Sequence, residues 1–417
     1  MEEIIRLKLL LRNGVFCLLL LCPQVYAAPV STIQSQIPGF WQAGEENSSS
    51  SQANSRADEA ERKFMVQSDQ YYQKMAREVK QRAQRIAFEV RKHWSSVELS
   101  GKSKWVEYGD NWQSKRVVDY ASNEIRVSAL KGMTTLELKE FAGTELKELL
   151  GSTVSAALRR DPVLKHTFDV ADENGLDQLV FSELFKTDKP SDRGIARVAQ
   201  QLMARAYARY QDQVATRGGT EGLGLSKTLT YVVPLPKNRM RDKARQYLPL
   251  VKKYSKEFQI PADVMMAIMH TESHFNPLAR SHIPAFGLMQ IVPRSAGRDA
   301  SRVLFKKKKL LSAGFLYKPE NNIKVGAAYL NVLSFRYLKK IENPVSRLYC
   351  MVAAYNTGSA NVARAFTPVP QMQKAVSVIN GMSNQQVLMR LIKYLPQRET
   401  REYVEKVLKR RKLYSRA

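Results

Sequence analysis

The sequence predicts an α+β protein, with helices and strands mixed over residues 58–237 and an all-helical region over 238–417. Two patterns carry that division. Apolar and polar side chains alternate within 104–130 and 228–236 reads as a short strand, whereas from 238 onward no strand pattern of any length appears. The length agrees: 417 residues correspond to two or three domains at roughly 100–200 residues each. A hydrophobic fraction of 44% with 9% aromatics excludes disorder as the main state. No apolar run reaches the ~20 residues of a membrane-spanning helix.

At the N-terminus, Arg6, Lys8 and Arg12 precede the apolar stretch Val15–Cys22, and Val25-Tyr26-Ala27 then leads to Ala28, with alanines on both sides of the expected cleavage. This is the pattern of a secretory signal peptide over residues 1–27. Leu21 before Cys22 and Pro23 after it make a poor lipidation site. Residues 28–57 read as a flexible linker, small and polar from Gly44 to Ala57. A long amphipathic helix follows from Asp58 to Trp94, with Phe64, Tyr71, Met75, Val79, Ala83, Ile86, Val90 and Trp94 on its apolar stripe and a basic outer face.

The period then changes. Val118, Tyr120, Ile125, Val127 and Ala129 alternate about Ser122-Asn123, which predicts a β-hairpin. Helical patterns occupy 136–161 and 191–217, a glycine-rich break lies at 217–224, and Thr228–Pro236 reads as a short strand ended by prolines. Pro234-x-Pro236 is the expected joint between the two regions. Of three cysteines, Cys17 and Cys22 fall in the leader, so Cys350, in an apolar run, has no partner for an internal disulfide and reads as a buried small residue.

Pro261 opens a helix that runs through Glu272 and stops at Asn276-Pro277. Met265, Ile268 and Met269 stand seven, four and three residues before Glu272, so its carboxyl continues an apolar face. Desolvation there disfavours the charged form and raises the pKa, which suits a proton donor near neutral pH; taken alone, a Glu near a helix end more often reads as solvated or salt-bridged. His270 and His274 share a face at a spacing that can ligate zinc, but Glu272 falls on another face, so the histidines read as structural or solvent-facing. Four further motifs follow: Phe286-Gly287-Leu288-Met289-Gln290-Ile291; Asn321-Asn322-Ile323 with Gly326 and Tyr329; Ala354-Tyr355-Asn356-Thr357-Gly358; and Glu399-Thr400-Arg401-Glu402-Tyr403-Val404. Gly287 permits close backbone approach, Gln290 offers directional hydrogen bonds, and Ala354–Gly358 alone would be a helix C-cap.

In this order and spacing, these motifs resemble the family 1 lytic murein transglycosylases over about residues 240–410. Residues 58–230 resemble, more loosely, the N-terminal domain of the membrane-bound lytic murein transglycosylase C group, best at Val106–Asp110 and the hairpin after it. The resemblance implies a lysozyme-like catalytic domain over 238–417, an accessory domain over 58–237, and cleavage between N-acetylmuramic acid and N-acetylglucosamine with 1,6-anhydro products. It implies Glu272 as the catalytic acid and Tyr403 as a hydroxyl assisting at the reacting sugar. Ser273 would orient the muramic N-acetyl group or a water. Gly287, Met289 and Gln290 would line the groove, and Tyr355 and Asn356 would shape its floor. It calls for no metal or organic cofactor.

The formal net charge of +27 attracts polyanions. The leader favours peptidoglycan glycan strands, with their carboxylate-bearing stems, over nucleic acid. The same reasoning places the chain outside the cytoplasm, in the periplasm, with outer-membrane association implied by the resemblance and left open by the poor lipidation site. Lys306–Lys309 is a candidate polymer contact or a solvated loop. The competing readings are a hydrolytic muramidase on the same fold and a non-catalytic wall-binding protein.

Overall fold

The protein is described here by a computed structural model covering residues 48–130, 133–164, 175–213, 226–281 and 284–415. The leader, the linker up to residue 47 and the break at 217–224 lie outside the described residues. Helix α1 spans Ser48–Arg91 and so begins inside the run read as linker. Glu61–Ala417 form one compact unit, to which the features below belong.

Within α1, Tyr72, Met75, Val79, Ile86 and Val90 are buried, and Tyr71 is exposed. The stripe passes through Tyr72, one position on from the expected residue. The Tyr72 hydroxyl donates to the Pro284 carbonyl at 2.9 Å.

Five strands form one antiparallel sheet in the order β1-β2-β3-β5-β4: β1 Lys104–Tyr108, β2 Ser114–Asp119, β3 Glu124–Ala129, β4 Tyr207–Gln213 and β5 Ser226–Pro234. The expected hairpin is β2–β3. Its turn is made by Asp119, whose Oδ1 accepts from the Ala121 and Ser122 amides at 3.1 and 2.9 Å, and by Asn123 at φ +58°. Two strands depart from the expectation. Trp105–Tyr108 pairs with β2 rather than merely preceding the hairpin. The helix expected over 191–217 ends at Met203, and 207–213 forms the edge strand β4 against β5. A Tyr-rich segment with weak periodicity takes whichever structure its neighbour offers, and β5 offers an unpaired edge.

The helical pattern expected over 136–161 forms two helices, α2 (Thr135–Leu150) and α3 (Val154–Arg160). The break is chemical: Gly151 closes α2, and Thr153 caps α3 by accepting from the Ala156 amide at 3.1 Å. Helix α4 spans Asp192–Met203.

From Arg239 the described chain is helical apart from isolated bridges at Arg280, Phe286 and Ile291. The joint after β5 is tied on both sides. Asn123 donates to the Leu235 and Pro236 carbonyls at 3.1 and 3.0 Å. Fully buried Arg239 and Lys243, on helix α5 (Arg239–Phe258), each pair at 2.9 Å with Glu183, which lies before α4. Removing one partner of such a cluster would strand a buried charge. Cys350 is fully buried, and burial pushes its thiol well above the usual range.

Candidate active site

Helix α6 (Ala262–Ser273) carries the central carboxyl. Met265, Ile268 and Met269 are buried, and Glu272 beside them is 5% exposed. Burial raises the Glu272 pKa; the charge of Lys102 and the hydroxyl of Tyr403 act in the opposite direction, while the nearby charge of Glu399 raises it further. The net direction is upward, toward an acid that stays protonated above the usual carboxylate range.

The helix ends two residues sooner than the proline at 277 requires. His274 at φ +52° and Phe275 at φ +59° adopt the left-handed region, and the His274 amide donates to the His270 carbonyl at 3.1 Å. This turn is held by helix α14 (Arg398–Tyr414), packed along α6. Arg410 donates to the His270 carbonyl at 3.0 Å and lies 3.2 Å from His274 Nε2, while the Tyr414 hydroxyl is 2.9 Å from His270 Nδ1. Burial, reinforced by the charge of Arg410, holds His270 down to about 3 and His274 to about 4. Both rings are neutral at physiological pH and are engaged in seating α14 against the end of α6.

Helix α14 also brings Tyr403 to the carboxyl. Its hydroxyl is buried, is felt electrostatically by Glu272, and completes no normal hydrogen bond among the described residues. Burial and the Glu272 charge keep it protonated far above neutral pH. The hydroxyl and the carboxyl thus face each other inside the protein.

The loop bearing Gly287, Met289 and Gln290 is fixed by Asn322, on helix α9 (Pro319–Val332). Asn322 Oδ1 accepts from the Met289 amide at 2.8 Å, and Nδ2 donates to the Phe286 and Leu316 carbonyls at 2.8 and 2.6 Å. Gly287 has φ +73°, and a Cβ there would lie 2.6 Å from the Leu316 carbonyl, so glycine is required twice over. Gly326 leaves room for the Met289 side chain. Gln290, at φ +49°, donates to the Gly287 carbonyl at 3.0 Å and leaves its own Oε1 buried and unpartnered.

Tyr355 and Asn356 end helix α10 (Pro344–Thr357), with Gly358 at φ +82° as the C-cap. The Tyr355 hydroxyl donates to the Met289 carbonyl at 2.8 Å, and Asn356 Oδ1 accepts from Thr400 at 2.7 Å. With the Asn322 bonds, all four motifs after Glu272 are thereby stitched together. Ser273 is the exception. It is fully buried, and its hydroxyl donates to the Met269 carbonyl at 3.0 Å, so it braces the helix rather than facing outward.

One site residue has no counterpart in the sequence analysis. Lys102, from the loop before β1, places Nζ 3.4 Å from Glu272 Oε2. Its loop is pinned to the far end of α6: Asn276 donates to the Lys102 carbonyl at 3.2 Å and the Arg280 amide to the Gly101 carbonyl at 3.3 Å.

Comparison with known proteins bears on what this arrangement does. Residues 249–377 match the family described as Transglycosylase SLT domain. The chain is 32% identical to the membrane-bound lytic murein transglycosylase C of Sodalis glossinidius over 322 residues, covering 77% of this chain and 85% of the relative. The protein of the same name from Pectobacterium atrosepticum is 32% identical over 327 residues, with the same shares covered. This chain belongs to the membrane-bound lytic murein transglycosylase C family. Among solved structures, an inactive mutant of the lytic transglycosylase Slt from Pseudomonas aeruginosa aligns at 25% identity with a TM-score of 0.32, over 43% of this chain and 27% of that one. Relatives of the lytic murein transglycosylase C name align across the sheet as well as the helices, since the 77% covered exceeds what residues 238–417 alone could supply.

Proposed function

We propose that this lytic transglycosylase cleaves the β-1,4 bond between N-acetylmuramic acid and N-acetylglucosamine in peptidoglycan, leaving 1,6-anhydro-muramic ends. The observation that carries the reading is Glu272: an acid 5% exposed, raised by burial, and faced by the buried Tyr403 hydroxyl, which makes no hydrogen bond of normal geometry among the described residues. Most glycosidases use two carboxylates. One suffices when the substrate supplies the nucleophile. Protonated Glu272 gives its proton to the glycosidic oxygen as the C1–O bond breaks. The muramic N-acetyl oxygen stabilises the cationic C1. Glu272, now a carboxylate, takes the proton of the muramic O6 hydroxyl as O6 closes on C1. The proton is returned and no water is consumed.

Tyr403 donates to oxygen at the reacting sugar. Gly287, Met289 and Gln290 line the groove, with Tyr355 and Asn356 beneath, and Ser273 acts by holding the end of α6. Residues 238–417 form the catalytic part, and 58–237 the accessory part that lends Lys102 to it. A leader over residues 1–27 exports the chain to the periplasm, where the excess of basic residues favours carboxylate-bearing wall polymer. The relatives' membrane-bound name supports association with the outer membrane.

The test is mass spectrometry of fragments released from purified sacculi. Wild type is expected to release anhydro-muramic ends. Glu272→Gln should fall below about a hundredth of wild-type turnover, since a general acid is typically worth ~10²–10⁴ and Glu272 also serves as base. Reducing muramic ends would overturn the water-free mechanism. Retention of more than a tenth of turnover by Glu272→Gln would remove Glu272 from its role.

A further inference from the structure

Lys102 poses a problem for the reaction just described, and its resolution rests on that reading. A lysine 3.4 Å from a carboxyl favours the ionised carboxylate, whereas the first step needs the acid. It would also stand next to a cationic C1, a like charge, in the transition state. Catalysis therefore requires the ammonium to leave. The geometry allows it: the backbone of Lys102 is fixed on both sides by Asn276 and Arg280, while its side chain is 42% exposed. A pinned backbone with a solvated side chain returns the ammonium to one place when the site is empty and lets it swing out when a sugar enters.

We propose that Lys102 is a positioning residue for the reaction, a displaceable counter-ion that lowers the proton affinity of Glu272 while the site is empty, until substrate moves it aside. The groups facing Glu272 from the surrounding elements are Lys102 from the loop before β1, Tyr403 and exposed Glu399 from α14, and Tyr355 from α10, whose hydroxyl also senses the Glu272 charge. The two tyrosines stay neutral through the working range, since burial and the Glu272 charge hold both well above their ordinary value. The one cation in this set is Lys102.

The experiment is the pH profile of muropeptide release by the full chain, with Lys102→Met and Lys102→Arg beside wild type and Glu272→Gln as control. The quantity read is kcat/KM, which reports ionisation of the free enzyme. Removing a partly solvated lysine should raise the basic limb by about one pH unit, and so increase kcat/KM about tenfold above that limb. Lys102→Arg should keep the wild-type limb. Thermal melts of each variant confirm folding. A folded Lys102→Met whose limb does not move, or moves down, overturns the inference, as does loss of turnover at every pH. If Glu272→Gln keeps its turnover, the reading of Glu272 fails instead, which separates the two outcomes.

Discussion

Replacing Asn322 with alanine tests how the groove loop is held. Asn322 is fully buried and makes three hydrogen bonds, to the Met289 amide and to the Phe286 and Leu316 carbonyls. The losses are unequal. The Phe286 carbonyl also accepts from the Ile291 amide at 3.1 Å and keeps that bond. The Met289 amide and the Leu316 carbonyl would be left buried without the partner they have now. At about 1–3 kcal/mol for each stranded group, the expected destabilisation is about 2–6 kcal/mol. That is a large part of the ~5–15 kcal/mol by which domains are stable. Urea unfolding followed by circular dichroism should show a midpoint about 1 M or more below wild type. Turnover on sacculi should fall with it at temperatures where the variant is still folded, because Tyr355 is anchored on the Met289 carbonyl. Asn322→Asp sharpens the test: it keeps the acceptor for the Met289 amide but turns an oxygen toward two carbonyls, so it should rescue little. An Asn322→Ala protein with a wild-type midpoint and wild-type turnover would refute the reasoning.

Two further outcomes follow from the same geometry. Tyr403→Phe removes a hydroxyl that has no normal hydrogen bond among the described residues, so its melting temperature should stay close to wild type; turnover should fall about 10–100-fold if that hydroxyl donates to a charged or developing-charge oxygen worth about 1.5–3 kcal/mol, and unchanged turnover would remove it from the site. Glu98 is a stability probe. Burial alone would raise its carboxyl, but Lys115, Arg126 and Lys104 at 2.9, 2.8 and 3.0 Å hold it down to about 2 from an ordinary 4.5. A depressed native pKa gives stability that is present above the unfolded value and lost as pH falls through the native one, so the loss falls between about pH 4.5 and pH 2 and amounts to about 3 kcal/mol. Urea midpoints measured against pH should show this decline in wild type and a shallower one in Glu98→Gln.

What the sequence disclosed and what it hid divide by distance along the chain. The burial of Glu272 was legible because its apolar companions are on the same helix, three, four and seven residues away. The β2–β3 hairpin was legible because its turn residues are adjacent. Strand β4 was not, because Tyr207–Gln213 takes its form from β5 rather than from its own pattern. The exit from α6 was placed late for a similar reason: the left-handed turn at His274-Phe275 is held by Arg410 and Tyr414, well over a hundred residues on. Ser273 shows the limit of motif reasoning. The family resemblance implied a hydroxyl that orients the muramic N-acetyl group or a water, and here the hydroxyl folds back onto the Met269 carbonyl. Lys102 is 170 residues from its partner, in a loop with no pattern of its own.

That last contact changes how the two regions of the chain divide the work. Apart from exposed Glu399, helices α6, α10 and α14 give Glu272 surroundings that do not change charge: apolar side chains, two tyrosines that stay protonated, and histidines held neutral behind the turn. Such a pocket can raise the pKa of an acid but cannot respond to an occupant. The sheet region contributes what the helices lack, a cation on a solvated side chain. An acid that must first give a proton and then take one back needs a proton affinity that is high when the sugar is bound and need not be high before. Fixed burial and a movable charge supply those two conditions separately, and the movable charge comes from the loop before β1.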